Sequence, residues 1–393
     1  MAHRLTRRRF LAQTAATAGG LAAGRLLGAE RRGPGETARP GRLPTSPVAV
    51  QRCESYEPAR LRERLDRALD AVGGIGRLVR GKTVTVKVNL TGPARPVGGR
   101  PASETYHVHP HVVGALCAAL DAAGARRIIL CEALYTKKPV EEVLTAAGWD
   151  LSAVRSAGGH KVVFANTKNR RPFKTYARLK VPWGGYLYPA FDVNRYFEAC
   201  DVLVSLSKLK DHAVAGVTMS VKNLFGVTPT ALYGNDAPNE DSVSARVAVF
   251  HTAARRVPEG VPAEVQPDPP KDPLVRVPRI TADVCGARPA DLAVVDGVFT
   301  MKGGEGFWNK GVEPIQPKVL LVGRNPVCTD AVCAAVMGYD PTAGHGRFPF
   351  PGENHLRLLA EAGVGEIDPA RIEVRGLSIE EARCPFRRPP VAG

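Results

Sequence analysis

Residues 207–212 read Ser-Lys-Leu-Lys-Asp-His, and ten positions later Lys222 and Asn223 stand side by side just ahead of Gly226. Lys208, Lys210 and His212 share parity, so an extended backbone aims two ammonium groups and an imidazole the same way. Lys87 and Asn89 close another apolar run, Glu132 ends a third and Asp296 a fourth. Lysines gathered at one place repel each other unless an anion or carboxylates compensate. The grouping therefore points to an anionic ligand, a carboxylate or phosphate, or to lysines of lowered pKa able to move protons. On this reading Lys208, Lys210, His212 and Lys222 are the candidate catalytic groups. Lys87, Asn89, Asn223, Glu132 and Asp296 bind and orient the ligand. For any one lysine taken alone a solvated basic face is the simpler explanation, and only the grouping argues against it.

Other residue types are less directive. Asp296, Glu305 and Asp330 form a weak carboxylate set for a hard cation such as Mg²⁺. His107, His109 and His111 alternate as metal-binding histidines can. Pro110 holds His109 extended while His111 enters a helix, so the three are not expected to converge. His251 reads as structural. The run Lys302-Gly303-Gly304-Glu305-Gly306 matches no phosphate-binding fingerprint and reads as a tight turn. The eight cysteines include no C-x-x-C pair and no ferredoxin-type or zinc-ribbon spacing. The cofactor is left open, a divalent metal included.

These residues need a scaffold that gathers strand ends. Thr83–Asn89, Arg127–Cys131, Asp201–Leu206, Asp291–Val295 and Lys318–Val322 read as strands. Pro58–Val72, Pro110–Ala123, Val140–Ala147, Met219–Phe225, Val327–Met337 and His355–Ala362 read as helices, and Arg371–Val374 as a last short strand. Alternation of this kind implies an α/β fold: a largely parallel or mixed sheet with helices on both faces, Rossmann-like layers without a dinucleotide fingerprint. Open sheets of this class place ligands beyond the carboxyl ends of their strands, where the polar residues above are found. Residues 257–279 are Pro-rich and read as an extended surface excursion.

The 393 residues carry a formal charge of +16 and 44% hydrophobic content. That is ample material for a core and argues against disorder. Seven of the sixteen excess charges fall in the first fifty residues. There Thr6-Arg7-Arg8-Arg9-Phe10-Leu11 precedes an uncharged Ala/Gly-rich run that closes at Arg25. The segment resembles a twin-arginine export signal, with Arg7 and Arg8 as its pair. The organisation expected is a signal at 1–29, a linker at 30–55, an α/β domain at 56–380 and a tail at 381–393. Export implies a periplasmic or otherwise extracytoplasmic location and the twin-arginine export machinery as a partner. Membrane contact runs only through an uncleaved signal.

Several stretches resemble the DUF362 domain family. They are Lys87-Val88-Asn89-Leu90, His109-Pro110 through Gly124, Lys208-Leu209-Lys210-Asp211-His212, Ser220-Val221-Lys222-Asn223-Leu224-Phe225-Gly226, Asp291–Gly297, Met301–Gly306 and Asn325–Asp330 through Pro341. Together they span most of residues 80–376. The family has no assigned reaction, and the resemblance implies iron–sulfur clusters only for members with ferredoxin-like cysteines, which are lacking here. Asp211 stands where the family usually has Thr, Glu132 where Asp is common, and Asn325 where Asp often opens the motif ending at Asp330.

The function expected is an exported α/β protein whose strand-end pocket binds an anionic small molecule, with acid/base chemistry open to it. Two alternatives belong to other classes: an iron–sulfur or other metal-dependent redox protein, and a non-catalytic envelope-binding module. Nucleic acid is not an expected partner, because aromatics are only 6% of the chain and the tryptophans are not interleaved with basic runs.

Overall fold

Short apolar runs punctuated by turns build one sheet of eight strands. They are β1 (Val48–Arg52), β2 (Thr83–Lys87), β3 (Arg127–Glu132), β4 (Val162–Asn166), β5 (Val202–Lys208), β6 (Leu292–Gly297), β7 (Val319–Gly323) and β8 (Val374–Gly376). The computed structural model describes residues 42–168 and 176–386. The signal with Arg7 and Arg8, the linker as far as residue 41 and the tail from 387 lie outside the described residues.

The strands lie in the order β8-β1-β7-β6-β5-β2-β3-β4. From β6 to β4 all neighbours are parallel. β7 runs antiparallel to both β6 and β1, and β1 pairs parallel with β8. The sheet is thus mixed, and five adjacent strands present their carboxyl ends on one edge.

Eight helices cover it: α1 (Pro58–Ala71), α2 (Pro110–Ala122), α3 (Val140–Ala146), α4 (Leu151–Ala157), α5 (Met219–Asn223), α6 (Pro273–Ala287), α7 (Pro326–Val336) and α8 (His355–Glu361), besides shorter helical turns. Strand alternation divides the core in two. Val84, Val86, Val202, Val204, Leu206 and Val294 pack with α1, α2 and α4 on one face. Ile129, Leu203, Val295 and Leu321 pack with α5 to α8 on the other. Each such buried aliphatic side chain contributes about 1.5–3 kcal/mol. The α/β reading with helices on both faces is what the structure shows. Among the described residues no helix is long and apolar enough to cross a membrane.

Three boundaries are corrected. The linker expected to reach residue 55 contains β1, whose Val48, Ala49 and Val50 are fully buried. Its partners are β7 and β8, some 270 residues or more further along the chain, so no local pattern announces it. The Pro-rich excursion ends early because α6 starts at Pro273 and carries Pro278 inside it. Pro278 offers no N–H to Leu274 O, and Glu353 N donates to that carbonyl instead at 2.9 Å, so the proline leaves no orphan acceptor. At the other end, residues 381–386 are packed rather than a free tail: Phe386 is buried and its N–H bonds Met337 O.

Candidate functional site

The carboxyl edge of β6, β5, β2 and β3 gathers the polar residues singled out in the sequence, but sheet parity sorts them. Lys208 and Asp296 share the parity of Leu206 and Val294, so both turn toward the α1 face. Lys87 has the parity of Thr85 and turns toward α5. The lysines expected to line one pocket are therefore divided between the two faces.

On the α1 side Lys208 and Asp296 form a fully buried pair with Nζ and Oδ2 2.9 Å apart. Nζ also donates to Tyr56 Oη and Ser103 O, each at 2.9 Å. Asp296 accepts in addition from the Tyr56 hydroxyl, His109 N and Val298 N. The His109 ring stacks on Tyr56 with centroids 3.6 Å apart. Every strong bonding direction of this pair is taken, so it holds α1, the 103–109 loop and the strand ends together rather than facing a ligand. Tyr56 was missed in the sequence because its partner Asp296 is 240 residues away.

On the α5 side Lys87 Nζ meets Glu132 Oε1 at 2.6 Å, with both side chains nearly inaccessible. It also donates to Val88 O and Asn223 Oδ1. Glu132 accepts from Leu90 N and Ala133 N. Asn223 Nδ2 bonds Lys87 O and Ser205 Oγ, which closes α5 onto the ends of β2 and β5. Asn89 Nδ2 joins them through Asn223 Oδ1, while Asn89 Oδ1 is buried with no hydrogen-bond partner among the described residues. Gly226 packs closely here: a Cβ would lie 3.1 Å from Lys87 Nζ and 3.4 Å from Glu132 Oε1.

Lys210, His212 and Lys222 complete the group. β5 ends at Lys208, so strict alternation does not continue beyond it. Lys210 still reaches the same loop as Lys208, donating to Tyr106 O at 2.7 Å and Glu305 O at 3.1 Å. His212 turns away into a short hairpin and lines a cleft of about 250 Å³ with Asp211, Gly303, Tyr339 and Phe350. His212 Nδ1 accepts from Val214 N and Ala215 N, and lies 4.0 Å from Glu305 Oε2. Lys222 Nζ stands 3.7 Å from the centre of the Phe225 ring. No hydrogen bond or ion pair reaches it among the described residues.

The electrostatics follow from burial. Burial takes Lys210 down to about 7, with Glu305 opposing and Lys208 adding. It takes Lys222 to about 7, Glu305 again opposing while Arg246 and Lys87 add to the fall. It holds His212 neutral, at about 3, despite Glu305. Burial works against the Glu305 carboxylate too, but the Ala213 N–H and the Trp308 indole outweigh it and keep it well below the usual range. Glu305, Lys208, Glu132 and Lys222 all act on Lys210, so the two halves of the group meet electrostatically around it. Arg246, a further cation missed in the sequence, donates to Thr228 O and the Tyr135 hydroxyl.

The carboxylate set does not assemble. Asp296 is engaged by Lys208, Glu305 by Ala213 N and Trp308, and Asp330 by Ser220 N and Val221 N at 2.8 and 2.7 Å. Among the described residues no three His, Cys, Asp or Glu side chains cluster as a metal set. The cysteines are all free, and seven of the eight are buried. The donor sets present therefore do not fit a resident metal or cluster.

The family model described as "Domain of unknown function (DUF362)" matches residues 84–335, well over half of the chain. The chain belongs to this family. The DUF362 match takes in both halves of the site from Lys87 to Asp330, leaving outside it Tyr56 and, from the His212 cleft, Tyr339 and Phe350. The thylakoid-associated protein sll1697 of Synechocystis sp. is 30% identical over 188 residues, covering 46% of this chain and 50% of that protein. Among solved structures, a Thermotoga maritima protein from a structural genomics consortium aligns at a TM-score of 0.33 and 14% identity, over 65% of this chain and 53% of that one. The lactate racemase apoprotein from Thermoanaerobacterium thermosaccharolyticum aligns at 0.34 and 12%, over 69% and 54%. The chain thus spans about half the length of each.

The departures from the DUF362 pattern have local explanations. Asn325 caps α7, accepting from Val327 N and Cys328 N, work that an Asn does as well as an Asp. Asp211 takes Gly303 N and the Tyr339 hydroxyl. Glu132 has the reach to bond Leu90 N while pairing with Lys87.

Proposed function

We propose that this protein is carried out of the cytoplasm by twin-arginine export and that its strand-end crevice binds an anionic small molecule. Lys222 is the cation that meets the anion and His212 the group that handles protons. The observation that carries the reading is the state of Lys222. Lys87 and Lys208 are neutralised by Glu132 and Asp296 in direct ion pairs, whereas Lys222 is half-buried, is in no ion pair among the described residues and feels the Glu305 charge only at a distance. Glu305 favours its charged form, while Arg246 and Lys87 work against it. An anion placed there pairs with Lys222 directly and eases its repulsion from Arg246 and Lys87.

Binding is tested on the full chain by thermal shift and calorimetry with inorganic phosphate and malonate as probes. At a hundredfold excess over Kd the wild type gains about 2.7 kcal/mol. Lys222→Met is expected to lose this response, and a control at exposed Lys138 to keep it. An unchanged response in Lys222→Met sinks the reading. Export rests on Thr6-Arg7-Arg8-Arg9-Phe10-Leu11. The name of the Synechocystis relative describes that protein as thylakoid-associated, which is compatible with a place outside the cytoplasm. Replacing Arg7 and Arg8 by Lys is expected to leave the protein in the cytoplasmic fraction.

A further inference from the structure

Lys222 is placed as a nucleophile is placed. Helix α5 is held at both ends, by Asp330 on Ser220 N and Val221 N and by Asn223 on the strand ends. The amine is thereby positioned while its nitrogen makes no hydrogen bond or ion pair among the described residues. Phe225 presents its ring face 3.7 Å away, an apolar wall for whatever approaches. His212, close enough for Lys222 to act on it electrostatically, has its tautomer set: Nδ1 accepts two backbone N–H bonds, so the neutral ring carries its proton on Nε2.

We propose that Lys222 forms an imine with a small carbonyl-bearing anion such as a keto acid, an activity that rests on the anion-binding reading above. The nitrogen lone pair bonds to the carbonyl carbon as the C=O π pair moves to oxygen. One proton passes from nitrogen to that oxygen to give a carbinolamine. The C–O bond then breaks, the second nitrogen proton leaves, and the oxygen departs as water. Nothing is oxidised or reduced, and water reverses the sequence.

The lowered ammonium supports this. At about 7 roughly half of Lys222 is free amine at neutral pH, against less than about 0.1% of an ordinary lysine. The Phe225 face works toward the ammonium and is the smaller effect beside burial.

The test treats the full chain with pyruvate and sodium cyanoborohydride at neutral pH and maps modified lysines by peptide mass spectrometry. Lys222 is expected to be alkylated about tenfold or more above the exposed Lys137 and Lys138, and malonate to suppress it. Lys222→Arg keeps the cation, so it is expected to bind malonate while the label at this position disappears. Labelling of Lys222 no greater than of Lys137 and Lys138 overturns the proposal. If malonate still binds in that case, the imine fails and the anion site stands. Selective labelling without malonate binding overturns the proposal as stated, because the imine's partner is then not held as an anion.

Discussion

Lys208→Met separates the two roles open to a lysine at a strand end. Nζ makes three bonds of 2.9 Å, to Asp296 Oδ2, Tyr56 Oη and Ser103 O, and neither charged side chain is accessible. Methionine fills most of the same volume but supplies no cation. Asp296 keeps the Tyr56 hydroxyl, His109 N–H and Val298 N–H, yet as an uncompensated buried carboxylate it costs about 3–5 kcal/mol. With an m-value of about 3 kcal/mol/M, the urea midpoint falls by about 1–2 M with its slope unchanged. Circular dichroism through a urea series reads this directly. Pairing the change with Asp296→Asn removes the stranded charge and is expected to recover about 1 kcal/mol or more, a coupling that distant sites do not show. A loss below about 1 kcal/mol for Lys208→Met, or strict additivity in the double variant, would refute the assignment of this pair to the framework.

Two further outcomes follow from the same geometry. Asp330→Ala strips the acceptors from Ser220 N and Val221 N and loosens α5; a loss of about 2–4 kcal/mol in urea unfolding and weaker phosphate binding are expected. Lys222→Met changes the pH dependence. Below about 7 Lys222 is charged folded and unfolded, and the burial penalty is fully present. Between about 7 and the ordinary lysine value of 10.5 the folded protein releases the proton first, so stability rises with pH. The variant lacks that rise, and its stability relative to wild type is expected to fall by about 1–3 kcal/mol between about pH 6 and about pH 9, read by urea unfolding at each.

Local pattern reaches far in this chain. Alternating apolar runs mark β2, β3, β5, β6 and β7, and α1, α2 and α7 start close to where Pro58, Pro110 and Pro326 lead one to expect. The polar residues after those runs do lie on one sheet edge, because parallel strands joined by helices must present their carboxyl ends together. β1 was hidden by the proline-rich residues before it and by partners far along the chain. α6 was hidden because the acceptor that Pro278 leaves free is satisfied only by Glu353.

The sequence by itself determined β2, β3, β5, β6 and β7 and which residues stand at their ends, since side-chain alternation and turn chemistry are properties of a few neighbouring residues. Only the tertiary structure decided what each cation does there. Lys87 and Lys208 end strands and Lys222 lies in α5, yet all three are the same residue type at one sheet edge. Whether each meets a carboxylate depends on strand order and sheet face, which bring Glu132 to Lys87 and Asp296 to Lys208 and leave Lys222 against Phe225.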